Sequence, residues 1–282
     1  MLSSFAVRAM RGACVMALLS ACAPAPVADL GPVPSASPGS RCLSAAERAG
    51  IVRFVSDNGA SLAGVVLGAG RQVGVVRFTS DNGASLAGVV LGNGPVGVVM
   101  AHSNNTDLCD WVPYGRVLAG SGYTALSIDL NGYGASQASA GVPVDPRYDQ
   151  DLSAAVRLLR GRGAGTVFLL GEVIGGTAAV KAAAVIVPPV AGVVAVSSVA
   201  DTLRMDAVAA ARVLKVPLLC IASDIDEFLD DTRRIASAAP DAELLVATGS
   251  TSGETNLFDP SVEPKAVEVR AAVSAFLHRH AR

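Results

Sequence analysis

Residues 166–184 read TVFLLGEVIGGTAAVKAAA, and their order decides the fold. Thr166 to Leu170 is a short run of β-branched and apolar residues, the pattern of a strand buried on both faces of a parallel sheet. Gly171-Glu172-Val173-Ile174-Gly175-Gly176 follows at once and marks a cramped turn. The alanine-rich run from Thr177 to Val187 reads as a helix, stopped by Pro188-Pro189. At the centre of the turn stands Val173, which has no proton to give up and no lone pair with which to attack.

Strands and helices alternate on both sides of this unit. Upstream, Val96 to Ala101 is a buried strand that ends at His102-Ser103-Asn104-Asn105. An amphipathic stretch from Trp111 to Ala119 leads through Gly120-Ser121-Gly122 into a strand from Tyr123 to Ile128. That strand runs into Asp129-Leu130-Asn131-Gly132-Tyr133-Gly134-Ala135-Ser136. Leu152, Ala155, Val156 and Leu159 recur at helical spacing and predict a helix over Gln150–Arg160. Downstream come a strand at Val190–Val196, a helix at Thr202–Leu214, and a strand at Pro217–Ser223 that ends in Asp224-Ile225-Asp226. A helix at Asp230–Ala239, a strand at Glu243–Ala247 and a closing helix at Lys265–His280 follow. With 282 residues, 51% of them hydrophobic, the chain can bury the core of one large α/β domain.

Strand, glycine turn and helix together resemble the nucleophile elbow, G-x-S-x-G, of the α/β-hydrolase superfamily. Gly171 and Gly175 take the glycine places and Val173 the nucleophile's. The order strand–His–helix–Gly-Tyr–strand–Asp-x-x-Gly-x-Gly-x-Ser is also similar to that superfamily, best to bacterial serine-esterase and dienelactone-hydrolase-like members. This resemblance covers about 200 residues. It implies a mostly parallel central sheet with helices on both faces, opened by an antiparallel hairpin.

The resemblance also implies a site. The family's acid falls at Asp226 or its neighbour Asp224, and its base, usually a His-Gly pair after the last strand, falls at Ser252-Gly253. The chain has three histidines. His278 and His280 sit at the end of the last helix, where cations suit the helix dipole. His102 matches the family's structural oxyanion-loop histidine, and the backbone N–H groups of Ile174 and of Ser103 or Asn104 would form the oxyanion hole. Two of three triad members are thus replaced, at Val173 and Ser252, and a degenerate esterase is expected. The remnant pocket could hold a small carboxylate or ester. The alternative is an active ester hydrolase with a relocated nucleophile among Ser103, Ser250 and Ser252. Glu172 adjoins the elbow but stands beside the attacking position.

Gly50 to Gly68, GIVRFVSDNGASLAGVVLG, returns as Gly74 to Gly92, GVVRFTSDNGASLAGVVLG, identical at seventeen of nineteen positions. Each copy reads as a β-hairpin around Asn-Gly, a two-residue turn signal. The second runs straight into the strand at Val96 and is given the native place. The first is then an extra hairpin that extends the sheet edge or lies over it.

Arg8, Arg11 and the apolar run Gly12 to Ala21 read as an export signal over residues 1–21. Its end, Leu19-Ser20-Ala21-Cys22, resembles a bacterial lipobox, which implies lipidation of Cys22 and anchoring to a membrane of the cell envelope. Ordinary cleavage after Ala23 and an uncleaved anchor helix are the alternatives. Residues 22–41, rich in proline, alanine and serine, are expected to form a tether, residues 42–73 the extra hairpin, and residues 74–282 the hydrolase domain. Net charge is −2, without a basic patch, so nucleic acid is not expected as a partner. No Cys-x-x-Cys pair, phosphate-loop lysine or dinucleotide fingerprint occurs, and neither metal nor cofactor is expected. The resemblance further implies a disulfide between Cys42 and Cys109, since similar proteins carry one cysteine before the first strand and another before the Trp. A monomer is expected.

Overall fold

The computed structural model describes residues 39, 41–44, 47, 52–55, 61–64, 73–137, 146–251 and 254–281, with 52–55, 61–64 and 254–255 described as backbone only. They fall within one compact unit, Pro34–Arg282. The export signal, the lipidation site Cys22 and the Ser252-Gly253 pair lie outside the described residues. No helix among those described is long and apolar enough to cross a membrane.

Among the described residues, twelve strands and six α-helices follow in order. The strands β1 (Val52–Val55), β2 (Ser61–Gly64), β3 (Val73–Thr79) and β4 (Ser85–Leu91) come first. Then come β5 (Val96–Ala101), α1 (Val112–Gly120), β6 (Tyr123–Asp129), α2 (Tyr148–Gly161), β7 (Thr166–Glu172), α3 (Ile174–Ala183) and β8 (Gly192–Val196). The remainder is β9 (Asp201–Thr202), β10 (Met205–Asp206), α4 (Ala207–Arg212), β11 (Leu218–Ser223), α5 (Leu229–Ala238), β12 (Ala242–Ala247) and α6 (Ala266–His280). Ten strands make one sheet in the order β1-β2-β3-β4-β6-β5-β7-β8-β11-β12, parallel from β6 to β12. The eight strands from β3 onward are the mostly parallel α/β-hydrolase sheet.

Side chains alternate across a strand, so each central strand feeds two cores. Val167 and Leu169 of β7 enter the core under α2, α3, α4 and α5, while Phe168 and Leu170 enter the core under α1 and α6. In β5, Val99 and Ala101 face the first core, Val98 and Met100 the second. Both faces of each strand are buried, which is why these strands read as continuous apolar runs rather than as alternations.

Three local expectations need correction. The turn between β3 and β4 is not a two-residue one. Ser80 N donates to Ala84 O (2.9 Å), Gly83 N to Ser80 O (2.9 Å), and Gly83 alone takes positive φ, +85°. This is a type I turn closed by a glycine bulge, favoured because the Asn82 side chain accepts the Ala84 N–H (2.9 Å). The helix after the elbow runs over Ile174–Ala183, not Thr177–Val187; Val185, Ile186 and Val187 are β-branched, and a residue before proline disfavours the helical region. Thr202 to Asp206 is not helical but a small hairpin, β9–β10, and α4 begins only where the Asp206 side chain caps Ala209 N (2.7 Å).

The second hairpin copy is the one built into the domain. Asp81 pairs with Arg157 through two oxygens (2.6 and 3.2 Å), and Asn82 Nδ2 donates to Pro146 O (2.9 Å) and to Asp151 (3.2 Å). The first copy extends the sheet edge, with Leu62 of β2 opposite Val76 of β3. Packing reaches into the expected tether, since Gly39 is buried and its carbonyl accepts from Cys42 N and Leu43 N. Cys42 and Cys109 form a disulfide with Cα atoms 5.4 Å apart, flanked by ion pairs Arg41–Asp107 (2.7 Å) and Glu47–Arg116 (2.6 Å).

Candidate functional site

The elbow joins β7 to α3, and Val173 at its centre has φ 49° and ψ −111°, with 2% of its surface exposed. A β-branched residue disfavours that region, so packing must impose it. Its N–H is fixed on Val196 O of β8 (3.0 Å), and its carbonyl receives the first helical hydrogen bond, from Thr177 N (3.0 Å). A Cβ on Gly175 would lie 2.5 Å from Ala101 O, so only glycine lets the first turn of α3 rest on the end of β5. Ile174, Gly175 and Gly176 precede the first helical bond, and their N–H groups have no acceptor within the helix.

His102 follows β5 and is fully buried. Leu130 N–H donates to its Nε2 (3.1 Å), so the ring proton sits on Nδ1 and donates to Ser103 O (2.6 Å). Burial lowers its pKa to about 4, so the ring is neutral at neutral pH. Both nitrogens are engaged, and the ring sets the Ser103 peptide beside the elbow. Ser103 itself is 2% exposed and its hydroxyl donates to Asn104 Oδ1 (3.1 Å), whereas Asn104 is exposed.

The Asp129 motif braces this loop. Asp129 accepts from Leu108 N and Ala135 N (both 2.8 Å), and Ser136 Oγ donates to Asp129 O (2.7 Å). Burial raises the Asp129 pKa to about 6. Asp151, which receives Asn131 N (2.8 Å), is raised to about 7 by the same cause.

Asp226 lies after β11, nearly buried, where the resemblance puts the acid. One carboxylate oxygen accepts Phe228 N (2.8 Å) and the other the hydroxyl of Ser197, at the end of β8. Asp224 is exposed and accepts Gly249 N (2.9 Å), a bond that lowers its pKa. The loop that should carry the base is held by Glu263, which accepts Thr251 N (2.9 Å). Ser250 in that loop is buried. His278 and His280 lie in the last turn of α6. Ser197, with φ 48°, is the participant that sequence reasoning missed, and a serine pair after a strand carries no signal for it. Four surface cavities of about 290 to 450 Å³ are lined by other residues than Val173, His102, Ser103 and Asp226.

Residues 97–216 match the family model of serine aminopeptidases S33. The fold is similar to the Pyrococcus furiosus esterase Pf2001, at 18% identity over 74% of this chain and 91% of that one, with TM-score 0.59. It is also similar to a thermophilic esterase from Thermogutta terrifontis solved with malate bound (18%, 73% and 99%, TM-score 0.60). An enol-lactonase from Burkholderia xenovorans gives comparable values (16%, 72% and 99%, TM-score 0.59). No protein of curated function matches the chain in sequence. Sheet order, elbow geometry and these likenesses agree: the chain has the α/β-hydrolase fold.

Proposed function

We propose that this chain is an envelope lipoprotein whose esterase-like domain no longer hydrolyses, and whose remnant oxyanion pocket binds a small carboxylate or ester. The observation that carries the reading is Val173: the elbow keeps the backbone geometry of a nucleophile turn around a side chain that cannot attack. The base is lacking as well. His102 is neutral with both nitrogens occupied, His278 and His280 sit on α6, and the loop after β12 carries serines. A relocated nucleophile at Ser103 would need a base that these contacts do not offer.

The pocket reading rests on the N–H groups at the start of α3 beside the His102–Ser103 loop. Val173 and Ser103 are nearly closed to solvent, so a ligand reaching these N–H groups would have to be as small as a carboxylate. The malate-bound relative supports the same ligand class. Anchoring rests on the Leu19-Ser20-Ala21-Cys22 stretch.

Purified protein is expected to release no p-nitrophenol from short esters above buffer rate and to gain thermal stability with malate. Saturable turnover abolished by Ser103→Ala or Ser250→Ala would establish the relocated enzyme instead. Loss of the protein from the membrane fraction on Cys22→Ser tests the anchor.

A further inference from the structure

The two hairpin copies differ only at Ile51/Val75 and Val55/Thr79. The domain offers one place for such a hairpin, beside β6, and copy two fills it, with Ala87 to Leu91 opposite Asp129 to Ala125. Apart from Val73, buried at the start of β3 and answered only by Ala49, the side chains that hold it there have twins 24 residues earlier. Arg77, which donates to Ala135 O (3.0 Å), is matched by Arg53; Asp81 and Asn82, which bind Arg157 and Asp151, are matched by Asp57 and Asn58. The fully buried Leu86 is matched by Leu62. Of the two differing positions, Thr79 is exposed and Val75 is answered by isoleucine, one methylene larger.

The match continues through the exit. A Cβ at Gly92 or Gly94 would overlap the backbone oxygens of Tyr123 and Gly122, and Gly68 and Gly70 stand at the equivalent places. Cys42 and Cys109 flank both copies, so their disulfide is compatible with either occupant.

We propose that the place beside β6 is filled by either copy, giving the protein two native arrangements related by a 24-residue slip. In the second, copy one pairs with β6 and residues 71–94 form an insertion before Pro95. Loop closure grows only slowly with length, so carrying that insertion costs little. The described arrangement is favoured by the pairing of β2 with β3, which rests on one register pair, Leu62 with Val76. Exchange requires the resident hairpin to open locally, parting from β6 on one side and from the single β2–β3 register pair on the other. A lesion in one copy is then bypassed by the other.

The full chain tests this with Leu86→Asp, Leu62→Asp and the double variant. A carboxylate in the core is incompatible with the fold, but harmless on a displaced hairpin. Each single variant is expected to unfold cooperatively, with a melting point lowered by a few degrees at most, and the double variant to lose its folded baseline. Leu86→Asp behaving like the double variant would overturn the exchange. Milder Leu62→Ala and Leu86→Ala variants guard against global misfolding: the double loss in melting point should exceed the sum of the singles, and additivity would overturn the proposal. Hydrogen-exchange mass spectrometry distinguishes the copies by Val55 and Thr79. In Leu86→Asp, protection should move from residues 78–91 to 54–67; protection that stays in place refutes the slip.

Discussion

The carboxylate of Asp226, after β11, takes its hydrogen bond from the hydroxyl of Ser197, at the end of β8. The carboxylate after β11 is thus satisfied by a neighbouring strand end. Ser197→Ala is expected to destabilise the domain by about 2 kcal/mol, the usual range for a bond to a charged acceptor. Ser197→Gly should cost less, because it also relieves the positive φ. Urea unfolding of the two variants measures the difference.

Val173 combines burial with an unfavourable backbone region. Relief of strain, about 1–3 kcal/mol, opposes the lost burial of a valine, about 1.5–3 kcal/mol. Val173→Gly should therefore stay within about 1 kcal/mol of the parent, in contrast to the several kcal/mol typical of emptying a core site. A loss above about 3 kcal/mol in denaturant titration would show that the turn is unstrained.

Most of the sheet was legible because its strands are buried on both faces and its turns carry glycine. The elbow was legible for the same reason, since Gly171 and Gly175 are demanded by backbone approach rather than by chemistry. Ser197 was not, because its role depends on β8 and β11 lying side by side, a relation between residues 29 positions apart. The β9–β10 hairpin was read as helix because Leu203 and Arg204 both adopt positive φ without a glycine to announce it.

Stability should depend on pH through Asp151. Its folded pKa, about 7, stands above the ordinary value of 3.8, so between these limits the folded chain binds more protons than the unfolded one. Its stabilising share is present at the acid end and lost as pH rises through 7. Asp129, raised to about 6, acts in the same sense and His102, lowered to about 4, in the opposite one, so the whole-protein curve mixes all three. Asp151→Asn isolates the first: the melting point of the variant relative to the parent should rise between pH 5 and pH 8.

The Cys42–Cys109 bridge closes a sequence separation of 67 residues. Replacing both cysteines by serine should cost about 2–4 kcal/mol, since the unfolded chain regains the freedom of a long loop. Unchanged guanidinium midpoints would place the stabilisation in the flanking ion pairs instead.

That bridge also determines how the molecule bears load. Tension arriving from the N-terminal side of Cys42 crosses the sulfur–sulfur bond to Cys109, with the Arg41–Asp107 pair acting in parallel. It then spreads into the short 3-10 turn Leu108–Asp110 before α1 and, through Leu108 N on Asp129, into β6. Residues 43–108 lie within the loop that the bridge closes, outside the direct line of tension, and both hairpin copies lie on it. Pulling on the chain therefore leaves them unstretched while the bond is intact. Reduction would redirect the force along the backbone, so that β1, the outermost strand, is the first to be peeled away.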